Sequence, residues 1–207
     1  MAAPQLNRFD KIAPFYDKLA GFAFGNSLMS AQEYNLDTIA EGADVLVIGG
    51  GTGKSLTQLL VKNKSCRIWF VEASEKMIEL AKKNLNFTNR VIYMHGTHEN
   101  VPDRNFDIVI THFFVDMFTD SELHNVMQLV HGHLKSQGRW LVADFVNHKY
   151  WHRIFLKVMY IFFNCLGALD IRSLSNWDRI IQSGYFKKID ASSFYGGFIN
   201  SVLYKKT

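Results

Sequence analysis

The stretch Val45-Leu46-Val47-Ile48-Gly49-Gly50-Gly51-Thr52-Gly53-Lys54-Ser55 reads as a buried strand that turns sharply into a helix. Glycines in such a turn permit positive φ and let the backbone approach a ligand with no Cβ in the way. The helix that follows offers N–H groups without intrahelical partners to any polar or anionic group at the turn. The ligand depends on the spacing of the glycines.

Three patterns compete for this loop. Gly53-Lys54-Ser55 resembles the end of a phosphate-cradling P-loop, but the glycine required five positions before Gly53 is Ile48. A dinucleotide-binding G-x-G-x-x-G would place its third glycine, needed for close helix–strand packing, at Lys54. The pattern G-x-G-x-G is satisfied by Gly49, Gly51 and Gly53. An acid closing the next strand, about 20 residues on, would bind ribose hydroxyls. Glu72 stands there, in Trp69-Phe70-Val71-Glu72-Ala73-Ser74. A carboxylate accepts hydrogen bonds from a diol and repels a phosphate. The plainer reading of Glu72 is a solvated strand end.

Outward from the loop, short apolar runs alternate with segments of helical period, the signature of a mostly parallel sheet. The expected strands are Asp44–Ile48, Arg67–Val71, Arg90–Met94, Phe106–Ile110 and Arg139–Asp144. Ser74 can cap a helix with Met77, Ala81 and Leu85 on one face. Thr119 and Glu122 form a capping box ahead of Leu123, Val126, Met127, Val130 and Leu134, and Gly138 suits a left-handed position past that helix. Phe186–Phe194 and Phe198–Tyr204 are strand-like and separated by only Tyr195-Gly196-Gly197, too little chain for a parallel crossover, so they pair antiparallel. The predicted fold is α/β: a Rossmann-like, mostly parallel seven-stranded sheet with helices on both faces and a C-terminal antiparallel hairpin. One domain spans residues 1–207, with a helical cap over 1–40 and the α/β core over 41–207.

Composition narrows the function classes. With 48% apolar and 20% charged residues, the 207-residue chain is of ordinary globular make-up, long enough for one buried domain. The formal charge of +4 comes without any Lys/Arg run longer than two, so nucleic-acid binding is not expected. No apolar stretch reaches the length of a spanning helix, and the N-terminus lacks a secretory signal, so a cytoplasmic protein without membrane insertion is expected. Cys66 and Cys165 read as separate, reduced and packed thiols.

The sequence resembles the class I S-adenosylmethionine-dependent methyltransferases, particularly the small-molecule group that includes ubiquinone- and menaquinone-biosynthesis enzymes. Ala13-Pro14-Phe15-Tyr16-Asp17 resembles that group's A-x-x-Y-D element, and Val45–Gly53 its V-L-D-I-G-C-G-T-G loop. Glu72-Ala73-Ser74 followed by Met77 resembles the acid-x-Ser step, and Gly96–Pro102 the G-D-A-E-x-L-P segment. Asn105–Val109 matches the fourth strand, and Leu134–Arg139 resembles the L-K-P-G-G turn before the fifth. The resemblance implies S-adenosyl-L-methionine as cofactor, with Tyr16, Gly49 and Gly51 at its methionine end and Gly53 completing the loop. It implies Glu72 on the ribose, Ala73 and Met77 flanking the adenine, and Thr97 and His98 at its edge. Thr111 and His112, just past the fourth strand, would face the methionine moiety and the methyl acceptor. Two positions depart from the pattern: the acid usual two residues before the first glycine is Val47, and the Asp usual beside adenine is Thr97.

Methyl transfer needs two reactants held in line, and a general base only where the acceptor must lose a proton. The weak candidates for that base are His112, Asp116 and His148, each also readable as a packed or surface residue. His148 and His152 are four apart and could share a helix face, but no H-E-x-x-H pattern surrounds them and no metal is expected. Residues 149–170 are apolar nearly all round. They read first as a core helix, then as an acceptor-pocket lid with Trp151, Phe155, Met159, Phe162 and Phe163, or as a dimer or membrane-surface face using Arg153 and Lys157. The partner expected is a small methyl acceptor, hydrophobic or aromatic, and the chain a monomer or homodimer. A cofactor-binding domain without turnover, and less favourably a nicotinamide-dependent oxidoreductase, are the alternatives.

Overall fold

The computed structural model describes Asp10, residues 13–165 and residues 175–207, leaving aside the side chains of Tyr16, Val158 and residues 160–165. Seven strands form one sheet: β1 (Asp44–Ile48), β2 (Arg67–Glu72), β3 (Val91–His95), β4 (Phe106–His112), β5 (Leu134–Phe145), β6 (Phe186–Phe194) and β7 (Ile199–Lys206). Their order is β3-β2-β1-β4-β5-β7-β6. The first five run parallel, β7 is antiparallel to β5, and β6 is antiparallel to β7. The order of the strands reverses between β1 and β4, which creates the crevice where ligands bind in open α/β sheets.

The strands form because their apolar runs are covered on both faces. All five residues of β1 are buried, as a strand sandwiched between helix layers requires. The helices are α1 (Ala13–Phe24), α2 (Ser27–Glu33), α3 (Leu56–Lys62), α4 (Glu75–Asn84), α5 (Asp120–His133), α6 (Tyr150–Cys165) and α7 (Trp177–Gln182). One core layer packs β-sheet residues such as Leu46, Val109 and Trp140 against Leu123, Val126, Met127 and Val130 of α5. The opposite layer packs Val45, Val47 and Phe70 against Leu56, Leu59 and Leu60 of α3. Ser74 caps α4 through its Oγ, which accepts from the Met77 N–H at 3.2 Å, and Thr119 and Glu122 form the capping box of α5. Cys66 is fully buried, whereas the side chain of Cys165 lies outside the described residues.

Several boundaries differ from the sequence reading. Leu134 belongs to β5 and not to α5, because α5 hands directly into a twelve-residue strand. The positive φ in the Lys135–Gly138 turn falls on Gln137 at 64°. Gly138 instead is needed for space, since a Cβ there would stand 2.9 Å from both Leu134 Cδ2 and the Lys135 carbonyl oxygen. β4 extends through His112, so Thr111 and His112 close the strand rather than follow it. Helix α6 starts at Tyr150, and His148 precedes it, donating its backbone N–H to His152 Nδ1 at 3.2 Å. The two imidazoles therefore share no helix face. Nor is α6 buried all round: Leu156 and His152 face inward while Tyr150 and Ile154 are exposed. On α1, Phe24 is buried, but Phe15 and Phe22 are exposed.

Candidate active site

The glycine loop joins β1 to α3 and takes positive φ at Gly49, Gly51 and Gly53. Gly50 is constrained differently, because a Cβ there would meet the Phe70 ring at 2.2 Å. Gly53 sits against Ala81 of α4 and Leu85 just past its end, each 3.1 Å from a Cβ placed on it. Thus the third glycine of G-x-G-x-G performs the close packing that Lys54 could not. The N–H groups of Gly53, Leu56 and Thr57 are taken inside the turn by Gly50, Gly53 and Lys54 carbonyls. The helix start is consequently less open to a ligand than the sequence suggests. A Cβ on Gly51 would meet nothing within 4 Å, so the space above the loop is free.

Glu72 is buried, not a solvated strand end. Its Oε2 accepts from the Gly51 N–H and its Oε1 from the Ser74 N–H, both at 2.9 Å. A carboxylate oxygen can accept two hydrogen bonds, so each retains an acceptor site for a diol. Burial raises the Glu72 pKa, opposed by the N–H groups of Ser74, Gly51 and Ala73. Buried Met77 follows one turn into α4, and the Ala73 carbonyl is bonded by the His95 ring at 2.9 Å. Thr97 caps the short 3-10 turn His98–Asn100. The His98 ring lies edge-on to Phe118 and Phe114 at 5.3 and 6.1 Å, and burial keeps its pKa below the ordinary value. Gly49 meets the same Phe114, whose Cδ2 is 2.8 Å from a Cβ built there.

At the ends of β4 and β5 the polar residues take separate roles. The fully buried Thr111 hydroxyl receives the Trp140 indole N–H at 2.8 Å. His112 points to the other face of the sheet, where it lines a recess with Gln32, Val47, Gly49, Gly50 and Ser55. Its Nε2 is buried without a partner among the described residues, and burial lowers its pKa to about 3. Asp144 Oδ2 accepts from the N–H groups of Phe114, Val115 and Asp116 at 3.0, 2.9 and 3.2 Å, and Oδ1 from Phe145 at 2.8 Å. Four donors favour the ionised form at Asp144, although burial and the Asp116 charge push its pKa up. Burial raises Asp116 to about 7, so the pair keeps one proton and Asp116 is its better carrier. His148, unlike these buried groups, is exposed. The side chain of Tyr16 lies outside the described residues.

The N-terminal helices close on the loop. Thr52 Oγ1 donates to Asp17 Oδ1 at 3.0 Å, and Ser74 Oγ donates to Asp10. Tyr195 Oη donates to the Ala23 carbonyl at 2.9 Å. Around that point Phe24, Phe145 and Phe198 are buried, with Phe113, Phe155, Met159 and Tyr195 half-buried beside them. Trp151 adds a ring 5.6 Å from Phe198; Phe162 and Phe163 lie outside the described side chains. Sequence reasoning missed Asp144, Phe114 and Gln32. An acid inside the apolar run Leu141–Phe145 was a signal for the first; nothing local marks the other two. A larger cleft of about 850 Å³ lies between α2 and α3. It shares no residue with the loop and is not where the chemistry points. Among the described residues no three His, Cys, Asp or Glu side chains gather as a metal site requires, and no helix is long and apolar enough to cross a membrane.

Known proteins agree with this geometry. A family model described as a methyltransferase domain matches residues 45–138, which runs from the glycine strand to the turn before β5's apolar half. The malonyl-[acyl-carrier protein] O-methyltransferase of Priestia megaterium is 31% identical over 142 residues, covering 68% of this chain and 50% of that protein. The chain thus spans about half the length of the curated relative it matches. Among solved structures, a chain from the Haloferax volcanii complex containing the Trm112 methyltransferase activator superposes with a TM-score of 0.74 at 15% identity, over 96% of both chains. The N-methyltransferase NodS of Bradyrhizobium japonicum, in complex with S-adenosyl-L-homocysteine, superposes with a TM-score of 0.66 at 10% identity, over 88% of this chain and 87% of that one. Those two likenesses speak for the fold, the sequence matches for the family. With the glycine loop, the acid it holds and the strand order in agreement, the chain belongs to the class I methyltransferases.

Proposed function

We propose that this protein transfers a methyl group from S-adenosyl-L-methionine to a small hydrophobic or aromatic acceptor. The observation that carries the reading is Glu72, whose carboxylate is bonded to both the Gly51 and Ser74 N–H groups beside the open space over Gly51. Loop and acid therefore arrive pre-oriented, and a ribose diol finds two acceptor sites without rearrangement. Bound there, the cofactor would supply an electrophilic methyl group on a sulfonium.

The chain's own residues account for the rest. Met77 and Ala73 flank the adenine, with Thr97 and His98 at its edge, and Gly49, Gly51 and Tyr16 serve the methionine end. Thr111 supports β4 from behind through Trp140. Asp17 and Asp10, bonded to Thr52 and Ser74, draw the N-terminal helices over the loop and exclude water. The rings around Phe145 and Phe198 stand at the carboxyl ends of β4 and β5, where an apolar acceptor would lie against the methyl group. Holding both reactants in line can supply about 7–11 kcal/mol of the barrier. For an acceptor that loses a proton, Asp116, raised to about 7, is the group at the strand ends that could take it once ionised, whereas His112, lowered to about 3, is too weak a base.

The test is incubation with methyl-labelled S-adenosylmethionine and a panel of phenols, quinols and apolar carboxylic acids. Label in the organic-extractable product is expected. Cofactor-product binding with no labelled small molecule would leave a binding domain without turnover, and label in protein or nucleic acid would overturn the acceptor class.

A further inference from the structure

Of the eleven large hydrophobic side chains exposed among the described residues, six stand on α1 and α6. Exposed apolar side chains scattered singly need no explanation, but clusters of them mark contact surfaces. On α1 they are Phe15, Leu19 and Phe22, spaced four and three apart, so they form one stripe along the helix. Phe22 is 94% exposed, which leaves nearly a whole phenyl ring in water. On α6 they are Tyr150, Trp151 and Ile154, with His152 and Leu156 buried on the opposite side. The inner sides of the two helices meet, Phe24 lying edge-on to Phe155 at 5.5 Å, so the stripes face outward from neighbouring helices.

The charges beside the stripes have one sign. Arg153 and Lys157 stand one turn apart on the exposed side of α6, and exposed Lys18 precedes Leu19 on α1. Helix α6 contains no Asp or Glu. The one acid of α1, Asp17, is bonded to Thr52. None of the three cations forms an ion pair among the described residues. We propose that α1 and α6 lay this face onto an anionic lipid surface, with the rings and aliphatic side chains at the headgroup–acyl boundary and the three cations among the headgroups. An apolar face with Lys and Arg at its margin is what an interfacial helix presents, and Tyr and Trp favour that boundary. The long Lys and Arg stems stay with the apolar surface while their charges reach the headgroups. A second copy of the chain fits this face less well. A two-fold contact would bring Arg153 and Lys157 against the same cations of the copy, with no carboxylate on α6 to pair them. No described helix is long and apolar enough to cross a membrane, so the contact is peripheral. Docking of this kind is independent of the reaction catalysed.

Trp151 reports on the contact directly. It is 38% exposed, whereas the other three tryptophans, Trp69, Trp140 and Trp177, are buried. Vesicles of phosphatidylcholine with added phosphatidylglycerol should therefore shift the emission to the blue, and lipids brominated along the acyl chain should quench it. Phosphatidylcholine alone should do much less, and salt should weaken the effect. The double variant Arg153→Ala, Lys157→Ala is expected to weaken partitioning onto the anionic vesicles about thirtyfold, equivalent to about 2 kcal/mol. Phe22→Ser should weaken it about tenfold or more. All three positions are exposed, so both variants should fold and melt like wild type. Absence of wild-type partitioning onto the anionic vesicles, or partitioning that neither variant weakens, would overturn the proposal. A blue shift that grows with protein concentration in the absence of lipid would overturn it in favour of self-association.

Discussion

Gly50 and Gly51 adjoin, yet they resist substitution for different reasons. At Gly50 a methyl group would collide with the Phe70 ring at 2.2 Å, and overpacking of this kind costs about 1–3 kcal/mol. At Gly51 there is space, but φ is +56°, a backbone cost of about 1–2 kcal/mol. Calorimetric melting should therefore show Gly50→Ala destabilised at least as much as Gly51→Ala. Binding should reverse the emphasis, because the new methyl group at Gly51 stands in the free space over the loop. Loss of S-adenosylhomocysteine affinity in Gly51→Ala beyond its loss of stability is the expected result. Glu72→Gln keeps one of the two oxygens that bind the Gly51 and Ser74 N–H groups. It puts an NH2 against one of those donors and should weaken S-adenosylhomocysteine by about tenfold or more. Equal affinity in the variant would show that Glu72 is a loop brace and not a ribose ligand.

The turn after β4 shows how an element can be positioned by a residue distant in sequence. Phe113 takes φ of +52°, and the next three N–H groups converge on Asp144 of β5. Asp144→Ala removes the acceptor for four buried N–H groups and should cost about 3 kcal/mol or more in a chemical melt; a loss under 1 kcal/mol would mean that water replaces the carboxylate. This turn was not legible in the sequence because its anchor lies 30 positions from Phe114. What was legible has local causes: the G-x-G-x-G turn, the caps at Ser74 and Thr119, and the hairpin forced by the short link Tyr195–Gly197. Strand ends were not, since β4 gains Thr111 and His112, and β5 gains Leu134 opposite Phe106 across a register shift, through pairing with a neighbour rather than through their own propensity. Helix α6 misled for a related reason. Its sequence looks apolar all round, but among the described side chains Leu156 and His152 are buried while Tyr150 and Ile154 stay outside.

Across the whole molecule the buried titratable groups oppose one another. His112, ordinarily near 6.5, is held down to about 3 by burial. Below pH 6.5 the unfolded chain gains a proton that the folded chain refuses, so stability from this residue falls as pH drops toward 3. Asp116, ordinarily near 3.8, is raised to about 7 by burial. The folded chain keeps its proton when the unfolded chain has lost it, so this contribution is complete below 3.8 and fades as pH rises to 7. The slopes offset between about pH 4 and 6.5. Relative to wild type, His112→Asn should therefore lose Tm as pH rises through this window, and Asp116→Asn should gain it; parallel profiles in scanning calorimetry would contradict both placements. The N-terminal helices, the glycine loop and Glu72 meet at one point, and a ligand bound there should hold them together. The most direct test is calorimetric titration of the wild-type chain with S-adenosylhomocysteine and, separately, with NAD. Saturable one-to-one binding of the first and none of the second is the predicted result; no heat from S-adenosylhomocysteine, or preference for NAD, would contradict the account.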